Sequence, residues 1–157
     1  MINASAEQIR GFTGVLSKAT CGIGGTASLA RFTAPNGAGV DYGINGLSYH
    51  KADGDDIWTL SGDDIPINSE CIFLLCLDVD GTMSIVQGEI ITTADLASGA
   101  KTLKWPQPGA NVCPIGAVRV TTTSVVFVPG TTSLAEAATT DTYYDFACGM
   151  PAADLTS

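Results

Sequence analysis

The chain has 157 residues, enough for one domain with its own core and too few for two ordinary ones. Its 16 acids against 7 bases give a net charge of −9. That sets aside nucleic-acid phosphates and anionic membranes as partners, because both reward clustered Lys and Arg.

The opening "MINASAEQIRGF" has neither the basic start nor the apolar segment of a secretory signal, and the longest unbroken apolar run, Ile72 to Leu77, is six residues. Synthesis in a cytosol without a bilayer anchor is expected. Ser5 with Gln8 forms a capping box that predicts a short helix over "AEQIRGFTGVLSKA", which Gly11 and Gly14 weaken by about 1 kcal/mol each. The following "TCGIGGTASLARFTAPNGAG" lacks both G-K-S/T and the G-x-G-x-x-G spacing, so it is no phosphate-cradling loop. Residues 1–38 are expected to form an N-terminal arm or short helix with a glycine-rich lead-in, and residues 39–157 the folded domain.

From Val40 the apolar period becomes two. Asn45-Gly46 stands between "VDYGI" and "LSYHK", a strong hairpin signal. A short strand at 57–60 lies between two acidic turns. Their Asp residues invite a calcium reading, but the D-x-[DN]-x-[DN]-G pattern with a distal Glu is absent, and solvated turns are expected. Further strands are predicted at 71–78, 82–91, 115–122, 124–128 and 142–147, with one helical turn at "TTADLASGA" and breaks at Pro106, Pro108, Pro114 and Pro129. Short strands with Gly and Pro between them predict an all-β fold, an antiparallel sandwich or barrel with a short N-terminal helix or arm.

The stretch "IFLLCLDVDGT", Ile72 to Thr82, spells the nucleophile motif of the haloacid-dehalogenase-type phosphatases. In that reading Asp78 attacks phosphorus, Asp80 handles a proton and Mg²⁺ bridges carboxylate and phosphate. Phosphoryl transfer needs several charges assembled around one group, and a core of helices on a parallel sheet is not predicted after Thr82. The hairpin reading accounts for more. Val79-Asp80-Gly81 forms a three-residue loop with Gly81 left-handed, pairing Leu77 with Met83, Leu75 with Ile85, Cys76 with Ser84 and Leu74 with Val86. Asp78 accepts from the turn amides. One apolar face then forms a half-buried sheet.

No catalytic residue, cofactor or metal site is predicted. His50 is the only imidazole, and no G-x-S-x-G surrounds any serine. Carboxylate pairs for glycosidase chemistry stay open, though nothing singles one out. The five cysteines, Cys21, Cys71, Cys76, Cys113 and Cys148, form no C-x-x-C. Cys71 and Cys76 point to opposite strand faces and cannot easily share a metal or a bond. Buried apolar thiols are one reading of the set; subunit cross-links are the other. In "TYYDF" adjacent aromatics face opposite ways, which predicts packing on one side and a surface or subunit contact on the other.

The phrases "INGLSYHKADGDDIWTLSG", "CIFLLCLDVDGTMSIVQGE", "WPQPGANVCPIGAVRV", "FVPGTTSL" and "TYYDFACGMP", from Asp41 or so to Pro151, resemble small structural proteins of tailed bacteriophages, of the capsid decoration (cement) or head-fibre kind. The resemblance implies a virion protein without enzymatic activity. It would be made in the host cytoplasm, bind the major capsid protein on the outer capsid surface and stabilise the shell, commonly as a homotrimer. It also implies a use for thiols that meet oxidising surroundings on release, with Cys21, Cys113 and Cys148 as the candidate inter-subunit disulfide residues. The other readings are a tail or fibre component contacting a host receptor or glycan and, remotely, the phosphatase.

Overall fold

The computed structural model describes residues 11–32 and 39–155. Among the described residues, eleven strands and one short helix make up the regular structure, which is all-β with antiparallel pairing. In chain order they are β1 (Gly14–Val15), β2 (Cys21–Ile23), β3 (Leu29–Phe32), β4 (Val40–Ile44), β5 (Leu47–Lys51), β6 (Gly54–Thr59), β7 (Ser69–Asp78), β8 (Met83–Gln87), β9 (Ile91–Thr92), α1 (Thr93–Ala97), β10 (Val112–Thr122) and β11 (Thr139–Asp145). The largest sheet runs β11-β10-β7-β8, with β9 beside β7; two three-stranded sheets, β1-β4-β5 and β2-β3-β6, pack with it.

Both predicted turns form as the side chains dictate. Asn45 and Gly46 have φ of 52° and 82° and close β4 onto β5 with Ile44 opposite Leu47, the doubly left-handed geometry whose twist suits a two-residue hairpin. In the β7–β8 hairpin Leu77 pairs with Met83, Leu75 with Ile85, Cys76 with Ser84 and Leu74 with Val86. Gly81 sits at φ 72°, a conformation that costs a residue with Cβ about 1 kcal/mol or more. The helical turn also forms, with Thr92 as N-cap accepting from Asp95 N at 3.1 Å.

Burial departs from the half-buried expectation. Every residue from Ser69 to Leu77 is buried, on both faces of β7. This is the pattern of a central strand covered on both sides. Phe73 meets Phe127 at 6.4 Å between ring centroids, and the indole of Trp58 donates to Cys76 O at 3.4 Å. Glu70, itself buried, takes the guanidinium of Arg119 from the neighbouring β10, with Nε to Oε2 at 2.6 Å.

The N-terminal expectation needs correction. Residues 1–10, where the capping box lies, are outside the described residues, but 11–32 are neither helix nor a separate arm. Val15 pairs with Tyr42 and Leu29 with Thr59, so β1 and β3 are built into the sheets of the main domain. A strand wins over a helix here because the backbone at Gly14 lies against another segment. A Cβ there would run into the carbonyl oxygen of Cys148. The strand expected at 124–128 reduces to one bridge, Phe127 with Ile65. At the other end of the chain, Tyr144 and Phe146 pack edge-on against Trp105, at 5.4 and 5.6 Å. Tyr143 on the opposite face is partly buried against the core as well.

Candidate interaction surface

The Asp-x-Asp-Gly-Thr motif is occupied with its own turn. Asp78 Oδ1 accepts from Asp80 N at 2.9 Å and from Thr82 N at 2.8 Å, while Asp78 O accepts from Gly81 N at 3.1 Å. Tyr42 on β4 donates its hydroxyl to the same carbonyl at 2.8 Å, which ties the small sheet to the hairpin tip. Asp80 is exposed within the turn.

The five thiols are separated by burial. Cys71, Cys76 and Cys113 are inaccessible, and burial pushes each thiol up to about 12. That placement corrects the expectation for Cys113. The loop expected there belongs to β10, with Cys113 opposite Leu77. Pro114 fits inside a strand because the β7 register shifts there and β11 pairs only from Gly116 onward. Cys21 is half-buried, its sulfur over the backbone of Gly116. Its thiol is pushed well up by burial first and by neighbouring Asp145 second. Only Cys148 is exposed, at φ 66°, a left-handed conformation unusual for a residue with a side chain.

Cys148 lies in a groove of about 390 Å³ lined by Phe12, Leu16, Gly43, Leu47 and Ser48. Leu16 and Leu47 are the most exposed large apolar side chains of the described chain, at 53% and 63%. Polar groups border them. His50 Nδ1 and Asp41 Oδ1 are 2.8 Å apart on adjacent strands, both exposed, and Ser17 Oγ accepts from Asp41 N at 2.8 Å. An apolar centre with a polar border is the anatomy of a protein-binding patch. Its centre went unforeseen in the sequence, where Leu16 fell within the expected helix and Leu47 within the strand after the Asn-Gly turn. The available signal was Leu47 directly after the Asn-Gly turn, where a hairpin projects from the sheet.

Among the described residues no group of three or more His, Cys, Asp or Glu is arranged to hold a metal ion. No helix among the described residues is long and apolar enough to cross a membrane. No protein-family model, curated protein or solved structure matches this chain.

Proposed function

We propose that this chain is a virion structural protein, a capsid decoration protein that binds the outer surface of a phage head and stabilises the shell. The observation that carries the reading is the groove at Leu16, Leu47 and Cys148: an apolar contact surface on an otherwise acidic β-domain. The phrase-level resemblance to phage structural proteins supplies the kind of partner, the major capsid protein, and the outer position suits a net charge of −9 held away from packaged DNA. Binding to the assembled lattice stabilises it by mass action, about 2.7 kcal/mol per site at a hundred times the dissociation constant, and needs no turnover. A homotrimer at local three-fold positions is the working assembly.

Cys148 is the thiol placed to link neighbouring subunits once dioxygen or an oxidised thiol accepts the two electrons. One exposed thiol per chain links pairs, so non-reducing gels of intact particles should show dimers that Cys148→Ser removes.

The decisive experiment images particles carrying the protein by electron cryo-microscopy, with wild type and Leu16→Asp/Leu47→Asp compared. Density on the outer shell, lost in the double variant while its β-sheet circular dichroism persists, is the expected result. Density only at a tail tip would favour the fibre reading, and absence from particles would overturn both.

A further inference from the structure

The register of β11 decides which of its backbone groups face away from the largest sheet. Thr123 N donates to Ala138 O at 3.0 Å and Phe146 N to Ile115 O at 3.2 Å. Both bonds continue the ladder in which Thr122 lies opposite Thr139 and Gly116 opposite Asp145. By antiparallel alternation, Thr140, Thr142 and Tyr144 therefore exchange hydrogen bonds with β10. Thr139, Asp141, Tyr143 and Asp145 turn their N–H and C=O groups outward. β11 is the last strand of its sheet. Thr139 N is taken by Glu136 O at 2.8 Å, but among the described residues nothing pairs with the outward groups of Asp141 and Tyr143.

The neighbouring layer stops short of this edge. β2 crosses the face of the sheet, where the sulfur of Cys21 sits over Gly116 of β10, one strand in from the rim. Cys21 N donates to the Asp145 carboxylate at 2.6 Å and not to the backbone of β11. On the opposite face Thr140 and Thr142 are exposed. The strand, Thr-Thr-Asp-Thr-Tyr-Tyr-Asp, is rich in residues that favour extended backbone. It has no proline, no lysine and no bulge against β10, the usual means of blunting an edge. Its charges are Asp141 and Asp145, both on the face that β2 crosses.

We propose that β11 pairs antiparallel with β11 of a second copy about a two-fold axis at Thr142, joining the two largest sheets into one. Asp141 and Tyr143 of each copy then exchange backbone hydrogen bonds with Tyr143 and Asp141 of the other. The carboxylates select this register. It sets Asp141 opposite Tyr143, Asp145 opposite Thr139 and Thr142 opposite itself. Sliding the copies by two residues either way opposes Asp141 to its own counterpart or to Asp145, and directly opposed like charges destabilise a strand pair. Exposed Lys18, with Nζ 3.5 Å from Asp145 Oδ2, offsets part of the remaining negative charge at the seam. A second copy fits better than a foreign strand because one contact closes both free edges, and a two-fold contact ends there. The pairing stands on this strand edge and holds independently of the capsid assignment; a shell of trimers would use it between neighbouring trimers.

The test uses the full chain carrying Cys148→Ser, which removes its exposed thiol. Across the seam Thr142 forms a non-hydrogen-bonded pair with itself, with Cα atoms about 4.5 Å apart, a distance that a disulfide spans. Thr140 is equally exposed but lies opposite Tyr144, more than about 10 Å from its own counterpart. Thr142→Cys and Thr140→Cys are each treated with oxidised glutathione, which is reduced to two thiols as the two protein thiols join. Non-reducing gels should show the Thr142→Cys dimer forming at least about tenfold faster. Adding Asp141→Pro deletes an outward donor and leaves the β10 ladder intact. It should bring Thr142→Cys down to the Thr140→Cys rate with unchanged β-sheet circular dichroism. In reductant, sedimentation velocity of the Cys148→Ser parent should show its mass doubling as concentration rises. Equal rates at the two positions, faster linkage at Thr140→Cys, or no doubling of mass would each overturn the proposal. So would a folded Asp141→Pro variant that links as fast as before.

Discussion

Replacing Asp78 by alanine isolates what the motif contributes to the fold. The carboxylate accepts two backbone hydrogen bonds, from Asp80 N at 2.9 Å and Thr82 N at 2.8 Å. In a partly exposed turn each is worth about 0.5–1.5 kcal/mol, so Asp78→Ala should cost about 1–3 kcal/mol. Asp78→Asn keeps an oxygen in the Oδ1 position and should lose less than half as much. Urea unfolding under thiol reductant, followed by tryptophan fluorescence, measures the difference as a shift in midpoint at unchanged slope. In a chain of this size each kcal/mol also lowers Tm by about 2–4 °C. The reasoning fails if the alanine variant stays within about 0.5 kcal/mol of wild type, the usual range for a surface change. It fails equally if asparagine proves as damaging as alanine. A phosphatase nucleophile would be told apart by activity, since either variant, asparagine included, would abolish magnesium-dependent hydrolysis.

Other outcomes are expected. Glu70→Ala strands the part-buried guanidinium of Arg119 and should cost about 3–5 kcal/mol, of which the double variant Glu70→Ala/Arg119→Ala recovers part; no recovery in thermal unfolding would argue against a coupled pair. Iodoacetamide on the native protein should modify Cys148 first, with Cys71, Cys76 and Cys113 labelled only in denaturant; peptide mapping that finds Cys113 modified early would contradict its burial. Stability should also fall in alkali. With Cys71, Cys76 and Cys113 held near 12 against an unfolded value near 9, the native thiols keep protons that the unfolded chain releases. Stability is therefore intact below about pH 9 and lost as pH rises toward 12, by about 1.4 kcal/mol per pH unit for each thiol. Urea midpoints that stay level from pH 8 to pH 10.5 would refute it.

The parts of the fold written in turn chemistry were legible before the structure. Asn45-Gly46 and Val79-Asp80-Gly81 admit few backbone paths, and each path sets the pairing of its strands, which is why the register around Gly81 follows from the sequence. What covers a strand is written elsewhere in the chain. The run Cys71–Leu77 reads equally well as half-buried or central, and only β10 on one side, with Trp58, Tyr42 and Phe127 packed around it, resolves it as central. Cys113 was misplaced because Pro114 signals a break, whereas a register shift lets proline stay inside β10. β1 and β3 were hidden because their pairing partners, β4 and β6, lie further along the chain, and β2 is held only by β3. Leu16 and Leu47 show the same limit from the other side. Apolar type alone cannot tell a core residue from one left on the surface for a partner.

The pairing of β7 has a consequence for the order in which the chain folds. Its partner β8 is reached through a three-residue turn, which closes in microseconds. Its other long partner, β10, joins by bringing Asp78 to Val112 across all of β8, β9 and α1. Loop closure of that span must precede any return from burial. β1 can pair with nearby β4, but the bond from Cys148 N to Val15 O at 3.0 Å spans nearly the whole sequence and closes last. On a ribosome the β7–β8 hairpin therefore emerges with its apolar faces uncovered until residues beyond 112 are made. The acidic residues that precede it in sequence, from Asp53 to Asp64, keep that nascent chain charged during the wait.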